Sequence, residues 1–222
     1  MPRAALTAKQ IGEFRDELCA AAARLFAQHG YDGVTLRGLA DELGCSPMTP
    51  YRYFRDKAEI FAAVRTAAFV RFAQAQERAF RSSLAPLVRL RAMGEAYVAF
   101  AEREPDAYRI LFEMREVGGD GAPAELREAA RRAWEPLRKS VEIAVAAGEL
   151  HGNADTLAHL FWSGLHGVLS LGLAGSLDHH HEARRLAGAM MDVLTAGARS
   201  ARPAKRPTRA RRSRAAAAKE RA

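Results

Sequence analysis

The stretch TLRGLADELGCSPMTPYRYFRDK, Thr35 to Lys57, decides how this chain is read. It describes two short helices joined by a tight turn, the first capped by Thr35 and running from about Leu36 to Leu43, the second following Ser46 and reaching about Phe54. The residue types are those a helix-turn-helix needs. Ala40 is small where the second helix must cross the first. Gly44 stands four residues later, where the turn calls for positive φ. Leu39, Leu43 and Cys45 supply a small core beneath the turn. Ser46 caps the second helix, and Pro47 sits at its first position, where a missing N–H does no harm. Pro50, at about the fourth helical position, forfeits one hydrogen bond and tightens that turn.

Outward from this motif the pattern stays helical, and the fold class expected is all-α. Ile11, Phe14, Leu18, Ala22, Leu25 and Phe26 step by threes and fours between Thr7, a cap, and Gly30, a terminator. A fourth helix opens at Asp56, with Glu59 completing a capping box, and continues to about Arg81. Pro105, Gly118 to Pro123, Gly148 to Asn153 and Gly175 to Asp178 punctuate the remainder. They predict helices near 86–103, 105–117, 123–147, 154–174 and 179–199, about nine in all, with no convincing strand.

The formal charge of +8 invites a nucleic-acid reading, but its distribution decides the matter. From Arg199 to Ala222 ten Lys and Arg face one Glu, so that the rest of the chain is close to neutral. The bulk basicity therefore belongs to a low-complexity tail, expected to be disordered. A composition of 49% hydrophobic and 27% charged residues is that of a globular protein. Two cysteines, Cys19 and Cys45, carry neither metal-ligand nor redox spacing, which points to a reducing cytoplasm and away from a disulfide scaffold. The residues MPRAALTAKQ hold no apolar run of a secretory leader. Thr156 to Leu177 contains no Asp, Glu, Lys or Arg and is long enough to span a bilayer. Its four glycines, two histidines and missing basic flank favour a buried helix, and no membrane association is expected.

The segment GCSPMTPYRYFRDKAEIF resembles the tetracycline-repressor-type (TetR) family of regulators, and the likeness covers about Lys9 to Val64. Members carry a Gly-apolar-Ser start, then Thr, then Tyr-x-x-Phe, then a Lys opening the next helix. Here these are Gly44-Cys45-Ser46, Thr49, Tyr51, Phe54 and Lys57, with Pro50 standing where an aliphatic residue is usual. Met48, Thr49 and Arg52 lie early enough in the second helix to approach base edges. The resemblance implies phosphate contacts for Thr35, Tyr51 and Lys57 and base contact for Arg37. Ser46 and Pro47, at the helix start, complete the expected DNA-facing set, while Tyr53 and Phe54 read as packing residues.

Further on, FWSGLHGVLSLGLAG carries a Trp-(x)3-His-Gly pattern at Trp162, His166 and Gly167, and resembles the C-terminal class named for those letters, as does DAYRILFEM upstream. The resemblance implies an effector cavity and dimerisation through the last two helices. Tyr108, Phe112, Trp134, Trp162 and His166 are the expected lining, and a small apolar or amphipathic effector the expected ligand. The helices near 154–174 and 179–199 would form a four-helix interface with a twofold copy.

The domains expected are residues 1–60, a helix-turn-helix unit with an arm at 1–8; 61–200, an effector-binding and dimerisation unit; and 201–222, the basic tail. The function expected is a DNA-binding transcriptional regulator, a repressor released from a palindromic double-stranded operator by its effector. The alternative is a non-specific nucleic-acid-binding protein acting through the tail. No GxSxG, HExxH, P-loop or GxGxxG occurs, so neither catalysis nor a cofactor is expected. Asp178-His179-His180-His181-Glu182 reads as a solvated helix start, since adjacent histidines cannot all face one ion, and no metal is expected.

Overall fold

A computed structural model describes residues 7–81, 83–114, 122–177 and 182–200. The basic tail, the first six residues of the arm and Asp178 to His181 lie outside the described residues. Those that are described form eight α-helices and one 3-10 turn, with no strand among them. The helices are α1 (Ala8–His29), α2 (Leu36–Glu42), α3 (Lys57–Ala79), α4 (Pro86–Arg103), α5 (Pro105–Phe112), α6 (Ala124–Ala146), α7 (Ala154–Leu173) and α8 (Ala183–Ser200).

Local chemistry sets most of the ends. Thr7 and Gln10 close a reciprocal capping box at α1, whose other end is stopped by Gly30 at φ 69°. Thr35 Oγ1 accepts from Gly38 N at 3.0 Å, and Asp56 Oδ1 accepts from Glu59 N at 2.8 Å. The Glu59 carboxylate, expected to reach back to Asp56, instead accepts from Arg55 N at 2.8 Å. On α1, Leu18, Ala22 and Phe26 are fully buried as their spacing predicts. Ile11, assigned to the same face, is 44% exposed because the first turns of α1 extend past the packed body.

Two apolar clusters organise the chain. One gathers Leu18, Phe26, Leu39, Phe54 and Phe61 from α1 to the start of α3. The other gathers Phe72, Tyr97, Tyr108, Val141 and Leu165 from α3 to α8, where α3 packs on α6 and α7 on α8. The helix α3 runs through both. So does the short α5, which places Ile110 in the first cluster and Tyr108 and Leu111 in the second.

The expected second helix of the motif is the main correction. Residues 47–54 form a turn and a single 3-10 helix, Pro50–Arg52. The first bonds are of the tighter type, Thr49 N to Ser46 O at 2.7 Å and Arg52 N to Thr49 O at 3.0 Å. Pro50 explains this: it has no N–H to give Ser46, so the carbonyl is taken up one residue early. The turn is closed by backbone, with Ser46 contributing its carbonyl to Thr49.

No helix among the described residues is long and apolar enough to cross a membrane. The uncharged stretch forms α7, with Phe161, Leu165 and Leu169 buried on one face and Leu160 and Leu171 exposed on the other.

Candidate nucleic-acid interface and ligand cavity

The corner between α2 and the 3-10 turn is a complete Schellman termination. Gly44 N donates to Asp41 O at 3.1 Å and Cys45 N to Ala40 O at 3.0 Å, with Gly44 at φ 61°. Ala40 is fully buried at the crossing. Beyond this corner the chain presents a short exposed ridge: Ser46, Pro47, Met48, Tyr51 and Arg52 are all exposed, and Thr49 is half-buried. Met48 at 67% and Tyr51 at 50% are large side chains left in water. Thr35 and Arg37, at the start of α2, are exposed as well. Buried Pro50 and Phe54 anchor the ridge from below, and Tyr53 packs on Phe14 with ring centroids 5.0 Å apart.

Two cations hold this frame. Lys57 Nζ donates to Tyr31 O at 2.9 Å and lies 4.3 Å from the centre of the Tyr31 ring, so it braces the start of α3 against the end of α1. An ammonium has three donors, which leaves capacity for a further acceptor. Arg15 was not singled out from sequence. Its Nη1 donates to Tyr53 O at 3.0 Å while the guanidinium sits 4.2 Å over the Phe54 ring. One side chain on α1 thereby fixes the C-terminal end of the 3-10 turn. No local signal could have revealed a contact that spans 38 residues.

The second site is a cavity of about 500 Å³ lined by α3, α4, α5, α6 and α7. Phe112, Trp134, Trp162 and His166 line it, as does Arg65 at the end nearer the first cluster. Tyr108 does not. It is fully buried behind the wall, where its hydroxyl meets His166 Nδ1 at 2.6 Å and receives a hydrogen bond from Tyr97 Oη at 3.4 Å. A residue of α5 that points into the core cannot also face the cavity, and Tyr108 supports His166 from the rear.

Aromatic rings dominate the wall. Trp162 stacks on His166 at a 22° interplanar angle, and Trp134 meets Trp162 edge-on, centroids 6.1 Å apart. Desolvation lowers the pKa of His166. Burial raises that of Tyr108, and burial, followed by its neighbour Tyr108, pushes Tyr97 well above the ordinary phenol value. The three groups are thus uncharged near neutral pH.

Sequence reasoning also missed Arg65 and Gln76 of α3. Both are buried and both line the cavity. Arg65 Nη2 donates to Leu111 O at 3.2 Å, tying the end of α5 to α3. A polar side chain on an otherwise apolar helical face was the available signal for Gln76. Among the described residues no group of three or more His, Cys, Asp or Glu is placed to hold a metal ion.

An exposed helix-turn-helix ridge on an all-helical body defines a helix-turn-helix regulatory protein. Comparison with known families narrows this. Residues 18–64 match the bacterial regulatory proteins of the tetR family, and residues 90–217 match the tetracyclin repressor-like C-terminal domain. The chain belongs to the tetR family. It is 32% identical over 101 residues to the HTH-type transcriptional activator FasR of Mycolicibacterium smegmatis, a match covering 46% of each chain. It is 40% identical over 50 residues to the HTH-type transcriptional repressor AcnR of Corynebacterium diphtheriae, covering 22% of this chain and 26% of that one. The matches therefore span less than half the length of these curated relatives. Among solved structures, a Rhodococcus sp. RHA1 protein of unknown function superposes with a TM-score of 0.72 at 27% identity, over 90% of this chain and all of that one. FadR from Bacillus subtilis, solved in complex with stearoyl-CoA, has the same fold at 14% identity, with a TM-score of 0.69 over 82% of this chain and 98% of that one.

Proposed function

We propose that this chain is a cytoplasmic, DNA-binding transcriptional regulator that acts as a homodimer and represses until a small apolar or amphipathic effector enters its cavity. The observation that carries the reading is the ridge from Ser46 to Arg52, exposed but rigidly seated by Gly44, Arg15 and Lys57. Thr49, Met48 and Arg52 are the base-facing candidates, with Arg37 beside them, and Ser46 and Pro47 complete the DNA-facing set. Thr35, Tyr51 and Lys57 would contact phosphates and set register.

The dimer would form on α7 and α8. Leu160, Ser163, Gly167 and Leu171 make one exposed stripe on α7, and Ala189, Val193 and Ala196 make another on α8. Two copies of this helix pair would close a four-helix interface and set two ridges on successive turns of one duplex face.

Coupling would run through α5. A ligand against Phe112 displaces the end of α5, where Leu111 O is held by Arg65 and Ile110 is seated in the DNA-binding cluster. A difference in effector affinity of about 3 kcal/mol between the two arrangements is enough to shift occupancy roughly a hundredfold.

The test is selection of a randomised duplex pool on the purified full chain, followed by anisotropy titrations on the enriched site. An inverted repeat bound far more tightly than scrambled duplex is expected, and it should persist after removal of residues 201–222. Binding that shows no sequence preference, or that vanishes with the tail, would replace this reading with non-specific attachment through the basic segment.

A further inference from the structure

The cavity wall carries a buried amide whose oxygen has no hydrogen-bond partner among the described residues. This is Oε1 of Gln76, which lines the cavity from α3 and is 2% exposed. A buried amide carbonyl without a donor is costly, and native proteins seldom leave one unless something else supplies the bond. The surrounding wall indicates what supplies it. Phe72 and Phe112 meet at 88°, Phe69 and Phe112 at 89°, and Trp134 and Trp162 at 77°. Such crossed rings offer both faces and edges to a further ring, the arrangement aromatic quadrupoles favour. The described lining contains no carboxylate, so a cationic ligand would find no counter-charge there. A flexible chain would lose rotamer freedom on entering, whereas a rigid ring system would not.

We propose that the effector is a planar compound of two or three fused aromatic rings bearing one hydrogen-bond donor, a hydroxyl or ring N–H, which Gln76 Oε1 receives. This rests on the effector reading above and adds the ligand class and the residue that selects it. The site volume of about 500 Å³ lies within the range of small-molecule pockets, roughly 300–1,000 Å³.

The experiment is calorimetric titration of the full chain with 2-naphthol, with 2-methoxynaphthalene, which has the rings but no donor, and with dodecanoate. For the wild type, 2-naphthol is expected to bind about tenfold more tightly than its methyl ether. In Gln76→Met, both naphthalenes should bind with the affinity of the ether, which also establishes that the variant keeps its cavity. Equal wild-type affinities, no binding of either naphthalene, or tighter binding of dodecanoate would overturn the proposal. DNA anisotropy with the same compounds separates the two readings. Naphthol binding without any change in DNA affinity would leave the ligand class standing and remove the effector role. Release of DNA by dodecanoate alone would do the reverse.

Discussion

The hydroxyl of Tyr108 and Nδ1 of His166 stand 2.6 Å apart, joining α5 to α7 behind the cavity wall. Tyr97 Oη donates to Tyr108 Oη at 3.4 Å, so the three side chains form one hydrogen-bonded relay. The relay holds the ring that stacks on Trp162 and ties α5 to α7.

Acid should loosen this domain. Desolvation holds His166 below the ordinary imidazole value, so the unfolded chain takes up its proton first as pH falls. The stabilisation is fully present above about pH 6.5 and declines below it, until the folded-state pKa is passed. Urea midpoints followed from about pH 7.5 to about 5.5 are expected to drop less steeply in His166→Asn than in the wild type. A parallel drop in both would show that other groups set the acid slope.

Gly44→Ala should destabilise the protein by about 1 kcal/mol. The built Cβ meets nothing within 4 Å, so the cost comes from holding a non-glycine residue at φ 61° and not from a clash. Gly44→Asn should cost less, because asparagine tolerates this region. Denaturant midpoints measure both.

Arg15→Met and Lys57→Met should separate positioning from contact. Arg15 grips the backbone at Tyr53, so its loss should weaken DNA binding without changing the salt slope. Loss of Lys57 should weaken all sequences alike and lower the slope of log K against log salt by about 1. Thr49→Val, in contrast, should alter preference at a base position by about 1–3 kcal/mol. Titrations at several salt concentrations on matched and mutated sites distinguish the three.

Val193→Arg should yield a monomer. Val193 is 68% exposed on α8, and two copies would bring like charges together across a twofold axis. Sedimentation velocity reports the mass. An unchanged dimer would place the interface elsewhere.

Much of this protein was legible along the chain because its signals are local. The caps Thr7, Thr35 and Asp56, the left-handed Gly30 and Gly44, and the helical periods each act within a turn or two of backbone. The sequence alone therefore determined the all-helical class, the helix-turn-helix corner and most helix limits. Periodicity names a face but not what meets it, and there the tertiary structure decided. It left Ile11 in solvent, turned Tyr108 away from the cavity, brought Arg15 to Tyr53 and buried Gln76 in the cavity wall. It also reduced the second helix of the motif to a 3-10 turn, since Thr49 N takes the Ser46 carbonyl that Pro50 cannot bond and buried Pro50 and Phe54 hold the segment down. The contacts of Arg15 and Tyr108 join residues 38 and 58 positions apart, and only the packed chain brings such partners within reach.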